Sequence, residues 1–384
     1  ETGIRMFVID GEEEARLSAQ GVLLGWPDAK GLVCDIGGNS MELAEVADGK
    51  VGNRVSSQLG PFRLQQVPGG KDGLRKHIMK VMAGLAEVMG THHERIYLVG
   101  GSWRAIARLD MERVSYPMTV LHEYRLTPSA VADTVAWIGA HDLADLRART
   151  GISNSRMELV PLAAQVLSQL AETFQPKELA VSSYGIREGL LYEQMPDSLR
   201  KRDPLIEAAR FTERQMARMP GSGKKLYHFL LPLFEDLPPE RDRLVRAACL
   251  LHDTSWRAHP DYRAEACFDN VTRANMAALS HPERVFLGLA LLHRYKNSRA
   301  NSPMAPLFKL LDDAQIKEAE VLGKAMRFGA MLALDDPADA GKLVMKDRQL
   351  RLQLTATGRK LMGEVAESRF RSLCSALEVE PVFV

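Results

Sequence analysis

The sequence has little of what marks secreted, membrane-spanning or nucleic-acid-binding proteins. Its four cysteines among 384 residues form no CxxC pair, a pattern typical of reduced thiols in a cytosol. Fifty basic against forty-nine acidic side chains leave a net charge of +1, so an anionic ligand would have to be bound locally rather than by an overall field. No apolar run reaches the length of a membrane span, and the first residues show no signal-peptide pattern.

What the sequence does contain is a pair of short acidic segments near its start. The first holds three consecutive acids, and the second follows a predicted buried strand; their residues are Glu12, Glu13 and Glu14, then Asp35, Gly37, Gly38, Asn39, Ser40 and Glu42. Consecutive glycines let backbone N–H groups converge on an anion, and nearby carboxylates can hold the cation that neutralises it. This pattern indicates a site for phosphate and a divalent metal.

Each acidic segment also has a plain structural interpretation. The three glutamates could be the acidic first turn of a helix, stabilised by the helix dipole. The glycine turn could be an ordinary hairpin, although Asp35 would then follow a buried strand without a partner, which is costly. For Asp35 we favour the functional interpretation over the structural one. For Glu14 the choice between the two interpretations depends on the neighbouring segments.

The pattern of apolar residues predicts an α/β first half. Strands and helices alternate in the order β, α, β, β, β, α, β, helices, β, α, with strands at residues 4–9, 31–36, 41–46, 51–58, 96–99 and 179–182 and helices at 12–24, 74–89, from 102, 127–137, 159–174 and 187–194. Three antiparallel strands followed by crossover units resemble one lobe of the actin, Hsp70 and sugar-kinase superfamily, a ribonuclease H-like fold.

The second half is predicted to be helical up to about residue 334. Helical spacing covers residues 205–219, 225–234, 240–252, 263–279, 283–295 and 315–334. A hairpin at 342–354 and a last helix at 358–377 then predict a small α+β C-terminal segment, residues 335–384.

Five ordered segments resemble the exopolyphosphatase / guanosine pentaphosphate phosphatase (Ppx/GppA) family. They are residues 11–16, 35–43, 59–64, 99–102 and 184–192, the last of which closely matches the family's G-L-R-E-G-L-L pattern. The resemblance implies that Glu14 orients or deprotonates the attacking water and that Asp35 and Glu42 position Mg²⁺ and the terminal phosphate. It further implies that Gly37, Gly38, Asn39 and Ser40 form the phosphate loop, with Arg63 and Arg187 at family positions of less certain role.

Two departures from the family pattern bear on these expectations. Asn39 stands where the family usually has a third glycine, and asparagine tolerates a left-handed backbone well. The family's first lobe carries its own D-x-G-S-N-S turn, which this sequence does not contain, so the resemblance predicts a fragment. On that basis residues 1–20 are the remnant of a first lobe and hinge, 21–197 the phosphate-binding lobe, and 198–334 an HD-like helical domain.

Two further groups of residues leave alternatives open. Gly100, Gly101 and Ser102 could bind phosphate, or Ser102 could simply cap the following helix. The adjacent His252 and Asp253 resemble the metal pair of HD-type phosphohydrolases, but a non-catalytic pair in which His252 caps or packs is favoured.

The sequence therefore predicts a magnesium-dependent exopolyphosphatase that releases orthophosphate from inorganic polyphosphate. The alternatives are a guanosine pentaphosphate 5′-phosphohydrolase and a truncated, non-catalytic polyanion-binding protein. The cysteine pattern favours a cytoplasmic location, and the resemblance implies a homodimer. No specific nucleic acid or membrane partner is expected.

Overall fold

A computed structural model describes residues 8–384 of the chain. The predicted strand at residues 4–9 and the start of the predicted remnant 1–20 lie outside the described residues, apart from Val8 and Ile9, which belong to no regular element. The chain divides into two compact units between Arg202 and Asp203. The finer boundaries predicted at residues 20, 197 and 334 stay predictions.

The first unit is a six-stranded mixed sheet with helices on both faces. Its elements, in chain order, are α1 (Gly11–Gly25), β1 (Gly31–Ile36), β2 (Met41–Ala47), β3 (Lys50–Ser57), α2 (Pro61–Leu64), α3 (Gly70–Met89), β4 (Arg95–Val99), α4 (Gly101–Arg113), β5 (Arg125–Leu126), α5 (Pro128–Ala140), α6 (Leu143–Thr150), α7 (Asn154–Met157), α8 (Val160–Phe174), β6 (Glu178–Val181), α9 (Ile186–Gln194) and α10 (Asp197–Arg200).

The strand order β3-β2-β1-β4-β6-β5 is that of an actin-like lobe, as predicted. Strands β1, β2 and β3 form an antiparallel meander, whereas β4 and β6 run parallel to β1 and are reached through helical crossovers. Because β1, β4 and β6 are parallel, their carboxyl ends lie at the same edge of the sheet. The connections that follow these three strands therefore meet there.

The side chains of each central strand alternate between two apolar layers. Cys34 and Leu98 belong to the larger layer, which packs under α3, α4 and α8, while Val33 and Tyr97 belong to the layer under α1. A sheet covered on both faces has strands that are apolar almost throughout, which is why residues 31–36 show no alternation in the sequence.

Helices α1 and α9 lie side by side on the same face because glycines allow their backbones to touch. A Cβ on Gly21 would lie 2.3 Å from the carbonyl oxygen of Gly185, and one on Gly189 would lie 1.9 Å from that of Leu17. Any side chain at either position would force the helices apart. Helix α1 crosses the predicted boundary at residue 20 without interruption.

The second unit is helical at first and ends in a small sheet. Its elements are α11 (Pro204–Met216), α12 (Ser222–Leu230), α13 (Pro239–Leu251), α14 (Arg263–Arg273), α15 (His281–Tyr295), α16 (Asp313–Leu332), β7 (Gly341–Lys346), β8 (Gln349–Leu354), α17 (Ala356–Leu361), α18 (Glu364–Leu377) and β9 (Glu380–Phe383), with short 3₁₀ turns at Leu231–Leu233, Ala305–Leu310 and Pro337–Asp339.

The predicted hairpin is confirmed and has a two-residue turn. Asp347 and Arg348 both have positive φ, 51° and 59°, the conformation of a type I′ turn that matches strand twist. The last strand, β9, was not predicted and adds to β8 in parallel. In the helical part, α16 packs against α15 on one side and α18 on another.

Candidate active site

Asp35, Glu42 and Ser56 form one row across three neighbouring strands. Asp35 on β1 is paired in register with Glu42 on β2, which is paired with Ser56 on β3. Residues directly opposite in an antiparallel sheet point to the same face with Cβ atoms about 4.5–5.5 Å apart. Both acids are nearly inaccessible, with exposed fractions of 7% and 1%. The structure thus brings together the two carboxylates predicted from the sequence.

Hydroxyl groups hold one oxygen of each acid. Ser18 on α1 donates a short hydrogen bond to Asp35 Oδ2, and Ser56 Oγ donates to Glu42 Oε1 over 2.9 Å. The second oxygen of Glu42, Oε2, is buried and has no hydrogen-bond partner among the described residues. A buried carboxylate oxygen without a donor is costly, and a proton, cation or ligand would satisfy it.

Glu14 reaches the same site from the first turn of α1. The turn is fixed by Asp10, whose side chain accepts a hydrogen bond from the N–H of Glu13 (2.9 Å) as an N-cap. Glu13 binds Arg16 through both carboxylate oxygens and Glu12 is exposed, so Glu14 alone is half-buried without a basic partner in the described chain. A Cβ on Gly11, in the same turn, would lie 3.5 Å from Glu42 Oε1, which places the start of α1 at the acidic row. Burial raises the pKa of Glu14, and the charge of Asp35 raises it further.

Burial raises the pKa of all three acids, and repulsion by neighbouring acids raises the pKa of Glu14 and Glu42 further. Burial raises the pKa of Glu42 to about 7 against hydrogen bonds from Ser40 and Ser56, with the charges of Glu14 and Asp35 raising it further. Burial also raises the pKa of Glu14, and the charge of Asp35 raises it further. Burial raises the pKa of Asp35 as well, whereas the hydrogen bond from Ser18 and the charge of Arg104 lower it. An added cation would relieve this repulsion.

The donor set fits a hard divalent cation that keeps most of its water. Within residues 8–384 no three His, Cys, Asp or Glu side chains are grouped closely enough to form a complete metal site. Mg²⁺, however, is usually bound by one or two carboxylates together with waters and substrate phosphate oxygens. Asp35 and the unpartnered oxygen of Glu42 would be those two ligands.

The glycine turn between β1 and β2 is tight but not left-handed. The N–H of Gly37 donates to the carbonyl of Ser40 over 3.0 Å, and a Cβ on Gly38 would lie 2.7 Å from the exposed Phe62 ring, which would have to move. Asn39 does not have a positive φ, so the turn does not use the tolerance of asparagine for a left-handed backbone. Helix α2 packs on this turn instead, with Gly60 against Asn39.

A second turn, after β4, lies directly beside Asp35. Gly100 has φ +114°, and a Cβ there would lie 2.6 Å from the carbonyl oxygen of Ile36 and 3.1 Å from Asp35 Oδ1. Gly100 is the N-cap of α4, so the alternative that Ser102 caps this helix is wrong; Ser102 lies inside the first turn. The N-terminus of α4, where unpaired N–H groups and the helix dipole favour anions, is therefore next to the acids.

Three arginines surround this edge of the sheet, and only Arg187 was predicted. Arg156 Nε lies 3.5 Å from the position of a Cβ on Gly101. Burial lowers the pKa of Arg104. The positive charges of Arg156 and Arg187 lower it further, whereas the negative charge of Asp35 raises it. Arg104 follows Gly101 by three residues and could have been found from the turn; Arg156 lies in a segment without any recognisable pattern.

The profile of the Ppx/GppA phosphatase family matches residues 1–198, and that of the exopolyphosphatase C-terminal domain matches residues 232–378. Together they cover the mixed sheet with its acidic row and most of the second unit. The chain belongs to the Ppx/GppA phosphatase family.

Relatives of this family member are distant. Retrograde regulation protein 2 of Saccharomyces cerevisiae is 23% identical over 324 residues, covering 77% of this chain and 54% of that protein. Exopolyphosphatase 1 of Mycobacterium tuberculosis is 26% identical over 221 residues, covering 54% of this chain and 64% of that protein. The chain therefore spans between half and two thirds of the length of these relatives.

Solved structures of the family show partial similarity. The Aquifex aeolicus Ppx/GppA member matches with a TM-score of 0.44 and 21% identity, covering 53% of this chain and 67% of that one. An exopolyphosphatase from Cytophaga hutchinsonii matches with a TM-score of 0.42 and 22% identity, covering 48% and 64%.

Other residues singled out in this phosphatase-family chain lie away from the acids or have other partners. Arg63 is exposed on α2, and none of the ion pairs of residues 8–384 joins it to Asp35 or Glu42. Asp253 is paired with Arg218 through Nη2–Oδ1 (2.5 Å) and Nε–Oδ2 (2.9 Å).

The His252 ring is buried beside this pair. Its Nδ1 lies 2.7 Å from the carbonyl oxygen of Cys249, and burial lowers the pKa of the ring to about 4, with the charge of Arg294 acting in the same direction. This geometry is that of a packed histidine next to an arginine-paired aspartate.

Across the described part of the chain, no helix is both long enough and apolar enough to span a bilayer.

Proposed function

We propose that this chain is a magnesium-dependent exopolyphosphatase that hydrolyses the terminal phosphoanhydride of inorganic polyphosphate. The observation that supports it most is the row of Asp35 and Glu42, with Glu14 beside it and an unpartnered oxygen on Glu42. Membership of a phosphatase family with exopolyphosphatase relatives supports the reaction class.

The residues of the chain divide the reaction between them. Glu14 accepts a proton from the water that attacks the terminal phosphorus, for which a carboxylate with a raised pKa is suited at neutral pH. The bond between phosphorus and the bridging oxygen breaks, and orthophosphate and a shortened chain leave. Mg²⁺ bound by Asp35 and Glu42 would neutralise charge on the phosphate oxygens.

The turns and arginines hold the anionic chain in place. Backbone N–H groups of Gly38, Asn39 and Ser40 and of the α4 start at Gly101 and Ser102 face the non-bridging oxygens, which carry the spreading charge. The N–H of Gly37 is used within the turn, where it donates to Ser40. Arg104, Arg156 and Arg187 bind the next phosphates along the chain, since guanidinium groups match phosphate geometry in pairs of hydrogen bonds.

Release of orthophosphate from long-chain polyphosphate and from guanosine pentaphosphate tests this proposal. We expect the 384-residue chain to release orthophosphate from polyphosphate in the presence of Mg²⁺ and to lose this activity with a chelator. Faster release from guanosine pentaphosphate would favour the alternative substrate. Binding of polyphosphate without release from either compound would identify a non-catalytic binding protein and reject the hydrolase.

A cytoplasmic location and a homodimeric state belong to the same proposal. The four cysteines of the chain are all free and buried, as in proteins of a reducing compartment. Sedimentation equilibrium on the purified chain would test the dimer directly, and a monomer at all concentrations would reject it.

A further inference from the structure

The second unit contains an arginine that is almost fully buried and forms no ion pair with any residue that the structure describes. Arg294, in the last turn of α15, has an exposed fraction of 8%. Its Nε atom is buried and makes no hydrogen bond to any described residue, and its guanidinium lies over the Tyr295 ring, 4.7 Å from the centroid. Burying a cation in this way is costly unless an anion accompanies it.

Two more arginines with unsatisfied donors come from the neighbouring helices. Arg327 lies on α16 and Arg369 on α18; each is partly exposed, yet Nη1 of Arg327 and Nε of Arg369 are buried without a hydrogen-bond partner in residues 8–384. Helix α16 packs against both α15 and α18: a Cβ on Gly323 would lie 2.3 Å from His293 Cβ, and the Phe328 and Phe370 ring centroids are 5.1 Å apart. The three arginines are close in sequence to these contacts and therefore lie at one junction. Burial lowers the pKa of Arg327 to about 10, and the charges of Arg369 and Arg294 lower it further.

Acidic groups near this junction are occupied by other cations. Asp253, whose charge acts on Arg294, binds Arg218. Glu320 on α16 binds Lys324 at 2.6 Å, and Glu367 on α18 binds Arg371 at 2.7 Å. None of the ion pairs of residues 8–384 includes Arg294, Arg327 or Arg369, and each of the three has a buried donor without an acceptor there, which points to a missing anion.

We propose that Arg294, Arg327 and Arg369 form a binding site for a phosphate group within the second unit. Three planar guanidinium groups offer more donors than the two oxygens of a carboxylate can accept, whereas a phosphate presents three or four oxygens and up to two negative charges. The group is orthophosphate or a phosphate of a longer chain. This site involves no residue of the acidic row and does not depend on the proposed hydrolase activity.

Hydrogen exchange measured peptide by peptide on the whole chain tests the site. In phosphate-free buffer at constant ionic strength, added orthophosphate should slow exchange in α16 and α18. The Arg327→Met variant should lose this protection and bind orthophosphate about tenfold or more weakly, because a hydrogen bond to a charged group is removed. Arg371→Met on α18, where the arginine is already paired with Glu367, should keep the protection.

Thermal unfolding separates an anion site from a structural role. Without phosphate, Arg327→Met should melt no lower than the wild type, because the change removes a desolvated charge that two others repel. With phosphate, only the wild type and Arg371→Met should gain stability.

Repeating both measurements with tripolyphosphate identifies the source of the group. A stronger effect of orthophosphate assigns a site for the free ion, and a stronger effect of tripolyphosphate assigns a site for part of a chain. If neither anion slows exchange in α16 and α18, or if Arg327→Met keeps the full protection, the proposal is rejected.

Discussion

Burial, and then the negative charge of Asp35, raises the pKa of both Glu14 and Glu42, so the three neighbouring acids disfavour one another's ionised forms. Such a group costs stability when all its members are ionised. Glu42 bears most of the cost, because it is buried and its Oε2 has no partner in the described structure. Strain of this kind is often found where a ligand binds.

The contribution of Glu42 to the stability of the chain should therefore fall as pH rises from 4.5 to about 7 and change little above that. The pKa of Glu42 is raised from its usual 4.5 to about 7, so the folded state holds its proton more tightly than the unfolded state. The stabilisation is complete below pH 4.5 and lost as pH rises through about 7, on the order of 3 kcal/mol in the free energy of unfolding.

Urea unfolding of the wild type and of Glu42→Gln, in buffer without divalent ions, measures this effect. The difference in the free energy of unfolding between the wild type and Glu42→Gln should change by about 3 kcal/mol between pH 4.5 and 8. Mg²⁺ should restore stability to the wild type at pH 8. A difference that does not vary with pH would show that Glu42 is ionised in the folded state without strain.

Sequence patterns indicated some of these residues and not others. Asp35 and Glu42 were predictable because an acid beside a buried strand and a glycine turn is unusual. Arg156 was not, because it comes close to Gly101 only through the packing of the short helix α7 against α4.

The turn after β4 depends on glycine in a way that a neighbouring helix does not. Gly100 has a left-handed φ and touches the backbone of Ile36 and the side chain of Asp35. Gly84 lies in the middle of α3 on its exposed face, and no atom lies within 4 Å of the position of a Cβ there. Gly100 and Gly84 therefore serve as the test and control positions for an alanine substitution.

Alanine at Gly100 should destabilise the chain by about 1–3 kcal/mol and weaken orthophosphate release, because the turn beside Asp35 must move. Alanine at Gly84 should instead stabilise it by roughly 0.5–1 kcal/mol. Chemical denaturation and an activity assay of both variants check this. Equal effects would mean that the backbone at Gly100 does not constrain the site.

Most helices and strands could be predicted from apolar spacing, and the errors have local causes. The helix predicted at residues 263–279 ends at Arg273, because buried Arg284 donates to the carbonyls of Ala274 and Met276 and holds that segment open. The helix predicted at 358–377 is interrupted before α18 by Gly363, which adopts an extended conformation as its N-cap. Long-range hydrogen bonds such as those of Arg284 cannot be predicted from the local sequence.

Taken as a whole, the chain combines one actin-like unit bearing an acidic row with a helical unit that ends in a three-stranded sheet. The family assignment covers both units, whereas the proposed chemistry depends on residues of the first alone. The order of the five sequence segments made the family predictable. The arginine junction of the second unit was not, because its members are far apart in sequence and share no motif.

Orthophosphate release from polyphosphate by Glu14→Gln, compared with Glu12→Gln, tests the central claim most directly. The two glutamates share the first turn of α1, but only Glu14 is half-buried beside Asp35, whereas Glu12 is exposed. The account predicts a rate about 10²–10⁴-fold lower for Glu14→Gln at saturating substrate and an unchanged rate for Glu12→Gln. Wild-type rates in both variants, with both folded, would contradict it.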